Sequence, residues 1–252
     1  MKLKTLIVLL LVSSAAFAQL KVNTSQFNRK NEFTFAQKGN VIDVKWPAGG
    51  GNIGQVTLDM TVGRPLFKTI AVGVKGVLKT VSTDLDPAFL LSIGKRDLLS
   101  QNGWNIFFDK VPQKPYKTFP VILEKSSASI KTIGSQTVVN ISSLKADHFS
   151  GDLEITFYNG SPMFNIAAVI STQQDATAIV YDAGLIDRKA GWKNISWINT
   201  RDTTMTESVN TIDSAKNIAV KYRAIAAKGK EGAIAIFPAP HQYFYPLDEA
   251  FN

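Results

Sequence analysis

Residues 152–160 read Asp152-Leu153-Glu154-Ile155-Thr156-Phe157-Tyr158-Asn159-Gly160. Apolar Leu153, Ile155 and Phe157 alternate with polar residues, which is the period of a strand that buries one face. The following Asn159-Gly160 supplies the positive φ angles that a tight hairpin turn requires. We therefore predict a β-hairpin whose second strand runs over residues 163–171.

The same period of two recurs along most of the chain. Residues 55–62 place Val56, Leu58, Met60 and Val62 on one face of a predicted strand. Further strands are predicted at 32–35, 41–46, 66–74, 104–109, 121–125, 137–142, 177–181, 195–199, 218–226 and 233–237. No long amphipathic helix pattern is present, so we predict an all-β fold, a large antiparallel β-sandwich that forms a single domain over residues 19–252.

The N-terminus has the three parts of a secretory signal peptide. Lys2 and Lys4 precede a short apolar run over 5–12, and small residues end at Ala18. The run is shorter than the roughly 20 residues that span a bilayer. We predict a signal peptide over 1–18, cleavage after Ala18, and a secreted or periplasmic protein. With no Cys in the chain, neither disulfides nor a Cys-linked lipid anchor is available, so we predict no membrane anchor.

The charge of the predicted mature chain is uneven. Residues 19–135 carry 16 Lys or Arg against 8 Asp or Glu, whereas residues 136–252 carry 10 against 12. A basic half attracts acidic glycans or a membrane surface, although lysines scattered singly also serve simply to solvate the outer faces of strands. We predict no nucleic-acid partner for an exported protein with this dispersed charge.

Motifs for catalysis, phosphate binding or metal binding are weak. Residues 49–54 are glycine-rich but lack the Gly-Lys-Ser/Thr ending of a phosphate loop and precede a strand. Asp152 and Glu154 have a spacing that glycosidase pairs use, yet they face away from the predicted core. The only histidines are His148 and His241, too few for a transition-metal site without carboxylates. We predict no metal and no cofactor.

Clusters of aromatic and polar residues indicate a carbohydrate cleft. Aromatic rings stack on the C–H faces of sugars, and carboxylates, amides and guanidinium groups bond the hydroxyls. A buried core position is the alternative for each Trp. The aromatic segment 237–246 is expected either to pack back on the sandwich or to lead into a further domain. The predicted ligand-binding residues are Arg96, Asp97, Trp104, Asp182, Trp192, Trp197, Arg201 and His241.

This pattern of strands and clusters resembles large β-sandwich domains of the galactose-mutarotase-like, or supersandwich, type. The stretch Phe157-Tyr158-Asn159-Gly160-Ser161-Pro162, with residues 178–185, also looks like the N-terminal region of longer secreted bacterial proteins, in which a hydrolase-like domain can follow the sandwich. The resemblance covers most of residues 20–252. The His pair and catalytic Glu of mutarotases have no clear counterpart here, so the resemblance implies no catalytic residue.

We therefore predict a secreted, non-catalytic β-sandwich module that binds carbohydrate or supports a following catalytic domain. The predicted partners are an oligo- or polysaccharide and such a C-terminal domain. Two alternatives stay open at this point. One is a carbohydrate-active hydrolase, lyase or epimerase that uses carboxylates in the sandwich cleft, and the other is a structural envelope protein.

Overall fold

The computed structural model of the chain describes residues 20–29, 32–74, 76–95, 115–189, 191–209 and 218–239. These residues form β-strands and no helix. The strands are β1 (Val22–Asn23), β2 (Thr34–Lys38), β3 (Val41–Gly49), β4 (Asn52–Asp59), β5 (Phe67–Val74), β6 (Val77–Lys95), β7 (Tyr116–Pro120), β8 (Ile122–Ile133), β9 (Gln136–Ala146), β10 (Phe149–Tyr158), β11 (Phe164–Ser171), β12 (Thr177–Asp187), β13 (Asn194–Ile198), β14 (Thr204–Ser208), β15 (Ile225–Lys228) and β16 (Ala233–Ile236).

The strands form three sheets. The first has the order β1-β8-β9-β10-β11, and the third has the order β14-β13-β15-β16. The second has the order β12-β6-β5-β4-β3-β2, with β7 also paired to β6. All pairings among the described residues are antiparallel except that of β1 with β8. The predicted all-β class is confirmed for the described residues, with three mainly antiparallel sheets.

The predicted hairpin is β10 and β11. The two strands pair in continuous register from Ser150 opposite Ser171 to Phe157 opposite Phe164. Gly160 in the connecting turn has a φ of 84°, a conformation that suits glycine. The carboxylates of Asp152 and Glu154 face outward, where they contact Asn140 and Lys131.

The main core lies where the first and second sheets face each other. Apolar side chains at alternate positions of β3, β4 and β5 meet those of β8, β9 and β10 in one cluster. Trp46 and Phe157 are at its centre, with their ring centroids 4.8 Å apart. The Trp46 Nε1–H donates to the carbonyl of Ser161 at 2.8 Å, so the buried indole keeps its hydrogen bond. This shared apolar face joins the two sheets.

Strand β6 is long, and its two parts pair with different neighbours in the second sheet. Its first part pairs with β5. Its second part pairs with β12 and β7. Leu91 and Ile93 in the second part form a smaller cluster with Ala146 and Phe149 of the first sheet. The third sheet contacts the same core through Ile234 of β16, and Trp192, which precedes β13, packs there as well.

Several predicted strands differ in extent from the observed ones, and the two largest over-predictions are at 55–62 and 218–226. The strand predicted over 55–62 ends at Asp59: Met60 is still buried, but Val62 is 78% exposed in the loop before β5. The strand predicted over 218–226 is absent over 218–224, and pairing begins only at Ile225. In both cases the alternating pattern continues into residues that have no neighbouring strand to pair with. The strand predicted at 104–109 lies outside the described residues.

Candidate ligand-binding sites

The structure describes four of the eight predicted ligand-binding residues. Asp182, Trp192, Trp197 and Arg201 are described, whereas Arg96, Asp97, Trp104 and His241 lie outside the described residues. The four that are described fall in three separate places. Only Trp197 and Arg201 belong to the same hairpin, β13–β14.

Asp182 lies in the middle of β12. It is exposed and stands opposite Leu90 of β6, which is also partly exposed. Ile186, further along the same face of β12, is exposed as well. This part of the second sheet therefore presents a carboxylate among apolar side chains.

Trp192 is half-buried in the connection between β12 and β13. Asp187 organises this connection, because its Oδ2 accepts the backbone N–H groups of Gly191 (2.8 Å) and Trp192 (3.2 Å). The indole packs against the main core. Its Nε1 is buried and has no hydrogen-bond partner among the described residues. This geometry is that of a packing residue.

Trp197 lies in β13 between Met205 of β14 and Ile225 of β15. It is 8% exposed, so little of its ring is free to stack on a ligand. The alternative of a buried core position, which the sequence left open for each Trp, describes this residue.

Arg201 lies in the tight turn between β13 and β14. The turn is held by Asn199, whose Oδ1 accepts the backbone N–H groups of Arg201 and Thr203, both at 3.0 Å. Such a side chain-to-backbone cap mimics a backbone turn and limits its flexibility. The exposed Arg201 side chain therefore stands on a well-ordered base.

Three side chains contact one another at the turn that contains Arg201. Asp202 forms an ion pair with Lys221, and this hydrogen bond raises the pKa of the Lys221 ammonium. The Tyr222 hydroxyl donates to Asp202 Oδ1 at 3.4 Å, and Lys221 Nζ lies 5.4 Å from the centre of the Tyr222 ring. The Tyr222 side chain is nevertheless 60% exposed. We call Arg201, Asp202, Lys221 and Tyr222 the Arg201 corner.

Sequence reasoning missed Tyr222 in this corner. The alternation over 218–226 predicts Lys221 and Arg223 outward, and hence Tyr222 inward. Because no strand forms over 218–224, the inward and outward assignment does not apply there. Instead, the Lys221 backbone N–H donates to the carbonyl of Ile198 at 2.8 Å, which brings the segment to the β13–β14 turn. This hydrogen bond joins residues that are far apart in the sequence, and no periodic pattern in the sequence indicates it.

A cleft lies at the end of the second sheet, beside the loop between β4 and β5. It has a volume of about 430 Å³. We call it the loop cleft; it is lined by Asp59, Thr61, Arg64, Pro65, Lys68 and Asp84.

The loop beside this cleft is held by a buried ammonium group. Lys125 of β8 is 8% exposed, and its Nζ donates to the carbonyls of Asp59 (2.9 Å), Thr61 (3.4 Å) and Arg64 (2.5 Å). Burial disfavours the charged form and lowers the pKa of Lys125. The three carbonyls supply the hydrogen bonds that a buried charge requires.

Two aspartates of β6 tie the cleft to the end of β12. Lys189 forms an ion pair with Asp84 at 2.7 Å, and this contact lowers the pKa of the Asp84 carboxyl. Asp86 accepts the backbone N–H of Leu66 at 2.7 Å and pairs with Arg188 at 3.1 Å. Asp84 therefore remains ionised at neutral pH and is unsuited to act as a general acid.

A second cleft lies beside the turn between β9 and β10. It is also about 430 Å³ and is lined by His148, Ser150, Ser171, Thr172, Gln173 and Gln174. His148 Nδ1 is 2.6 Å from Asp147 Oδ2, whereas its buried Nε2 has no partner among the described residues. The lining offers hydroxyl and amide groups, and no described contact joins a serine hydroxyl to the imidazole.

Within the described ranges, no group of three or more His, Asp or Glu side chains is arranged to hold a metal ion. The same part of the chain contains no helix with the length and apolar character of a membrane span. No protein-family model matches the chain, and no curated protein is significantly similar to it in sequence.

Proposed function

We propose that the chain is an exported, non-catalytic β-sheet module that binds carbohydrate, with the Arg201 corner as its contact surface. The observation that carries this proposal is the exposed Tyr222 ring, which contacts the Asp202 carboxylate and the Lys221 ammonium. Asp202 directly follows the exposed Arg201 in the β13–β14 turn. An aromatic face next to hydrogen-bonding groups is the combination that sugar rings require.

The geometry of the corner favours binding over chemistry. Asp202, its carboxylate, is engaged by Lys221 and Tyr222. Glycoside hydrolysis needs two carboxyl groups with different roles on either side of the bond that is broken. The described residues of the corner provide only one carboxyl group, that of Asp202. A binding surface that leaves its ligand intact fits this composition.

Export and the role beside a catalytic domain are parts of the same proposal. The basic start, apolar run and small residues of segment 1–18 support export. The resemblance of residues 157–162 and 178–185 to the N-terminal region of longer secreted proteins supports a module that assists a following catalytic domain. The supersandwich assignment itself stays a prediction.

The proposal is tested with a panel of neutral and acidic oligosaccharides and Tyr222→Ala. We expect the purified protein to bind at least one glycan in titration calorimetry, and the variant to bind it roughly tenfold more weakly because a stacking face is lost. Tyr116→Ala, which removes a similarly exposed tyrosine from β7, is the control and should bind as the wild type does.

Three outcomes would contradict the proposal. Absence of binding across the panel would exclude a glycan-binding module, and equal binding by the Tyr222 and Tyr116 variants would exclude the Arg201 corner. Release of shorter sugars from the same oligosaccharides, followed by chromatography, would show that the protein is a carbohydrate-active enzyme.

A further inference from the structure

Two cations of the loop cleft form no ion pair within the part of the chain that the structure describes. The side chains of Arg64 and Lys68 are exposed at the cleft, and neither forms an ion pair with another described residue. Most surface charges can do without a partner, because water solvates them well. Two unpaired cations that line one cleft differ from isolated surface charges, because a single anionic ligand can contact both.

The two carboxylates of the cleft are already engaged. Asp84 is paired with Lys189 at 2.7 Å. Asp59 Oδ1 accepts the backbone N–H of Thr61 at 2.9 Å, and Asp59 also interacts electrostatically with the buried Lys125 ammonium. Lys68 also acts electrostatically on Asp84, and Asp86 acts on Lys125 together with Asp59. Each carboxylate of the lining therefore already has a cation other than Arg64 or Lys68 close to it, Lys189 for Asp84 and Lys125 for Asp59.

The cleft is also preorganised. The loop is closed by the hydrogen bond from the Asp59 N–H to the Leu66 carbonyl at 2.8 Å and is fastened to β6 by the bond from the Leu66 N–H to Asp86. The three carbonyl contacts of Lys125 hold it from beneath. A loop that is already ordered loses little further conformational entropy when a ligand binds.

We infer that the loop cleft is an oxyanion-binding site in which Arg64 and Lys68 together hold a carboxylate, sulfate or phosphate group. The planar guanidinium presents parallel N–H donors that match two oxygens of such a group, and the ammonium adds a point charge. A cleft of about 430 Å³ is within the size range of small-molecule sites. The oxyanion is either a free inorganic ion or the acidic group of a sugar. This site is separate from the Arg201 corner and does not depend on its function.

The test measures binding of inorganic phosphate, inorganic sulfate and a trimer of galacturonic acid to the purified protein by titration calorimetry. Arg64→Gln and Lys68→Gln remove one charge each, and Lys45→Gln removes an exposed charge from the outer face of β3 as the matched control. We expect each cleft variant to bind roughly tenfold more weakly, as loss of a charge-assisted hydrogen bond predicts, and the control to be unchanged. Thermal melting of all variants verifies that they are folded.

Each outcome decides the inference. Tighter binding of the trimer than of the inorganic ions identifies an acidic sugar as the ligand, and the reverse identifies a free ion; both support the site when the cleft variants weaken it. No binding of any probe, or binding that the cleft variants leave unchanged, overturns it. Tyr222→Ala should bind these probes as the wild type does at this cleft, so failure of the Arg201 corner leaves the result intact.

Discussion

At the residue scale, Lys125 has the most unusual environment among the described residues. Its ammonium is buried, yet it is paired with three backbone carbonyls of one loop rather than with a carboxylate. Burying a charge is costly unless hydrogen bonds replace the lost hydration. Lys125 therefore acts as a fixed cation around which the 59–64 backbone is wrapped, and the shape of the loop cleft depends on it.

We expect Lys125→Met to lower the free energy of unfolding by about 2–4 kcal/mol, since it leaves three partly buried carbonyls without a donor. Urea denaturation followed by tryptophan fluorescence measures this. Lys131→Met, on the same strand, is the control: its contact with Glu154 is long (3.7 Å) and partly exposed, so its loss should cost less than about 1 kcal/mol. Equal losses in the two variants would contradict the role given to Lys125.

At the element scale, the β3–β4 hairpin shows how side-chain size sets the packing of a strand pair. Gly54 stands opposite Trp46, and a Cβ at Gly54 would lie 2.4 Å from Trp46 Cζ2. The indole thus covers the place where any other residue has its side chain. The glycine-rich residues 49–54, which could have indicated a phosphate loop, form the hairpin turn and the start of β4.

Gly54→Ala should destabilise the protein by about 1–3 kcal/mol, because the added methyl group forces the buried indole to move. The matched control is Gly184→Ala in β12, where no atom lies within 4 Å of the added Cβ. Thermal melting, read by circular dichroism, compares the two. If the Gly54 and Gly184 variants have the same melting temperature, Trp46 can shift without a loss of stability, and the prediction is wrong.

At the scale of the whole molecule, one aromatic cluster joins the two larger sheets. The Phe157 ring of β10 lies 5.6 Å from Phe33, 4.8 Å from Trp46 and 5.6 Å from Phe164, measured between ring centroids. Phe164 is the cross-strand neighbour of Phe157 in the β10–β11 hairpin. Phe33 and Trp46 lie far from Phe157 in the sequence and meet it only when the sheets face each other. The stability of the assembled sheets should therefore be sensitive to this one side chain.

Replacement of Phe157 by Ala should cost about 3–5 kcal/mol, through lost apolar contact and the cavity that remains. Phe157→Leu, which fills more of the space, should cost less and keeps the test measurable if the alanine variant does not fold. Phe237→Ala removes a phenylalanine that is 54% exposed and should change stability little. Chemical denaturation gives all three values. A leucine variant no less stable than the Phe237 variant would contradict the central position of Phe157.

Whether a structural feature could be predicted from the sequence depends on how far apart its contacting residues are along the chain. The β10–β11 hairpin was predicted because its alternation and its Asn159-Gly160 turn are local signals. The 19-residue β6 was not predicted, since Pro87 and two aspartates interrupt its pattern and its two parts pair with different neighbours. Tyr222 was missed because the alternation around it predicted a strand that does not pair.

The sequence by itself determined the all-β class and the β10–β11 hairpin, because both arise from a two-residue period and turn chemistry within a short stretch. Only the tertiary structure decided which polar residues lie together. Lys125 reaches the Asp59 carbonyl across 66 residues of sequence, and Arg188 reaches Asp86 across 102. Such contacts are selected by the packing of whole sheets, and no local pattern encodes them.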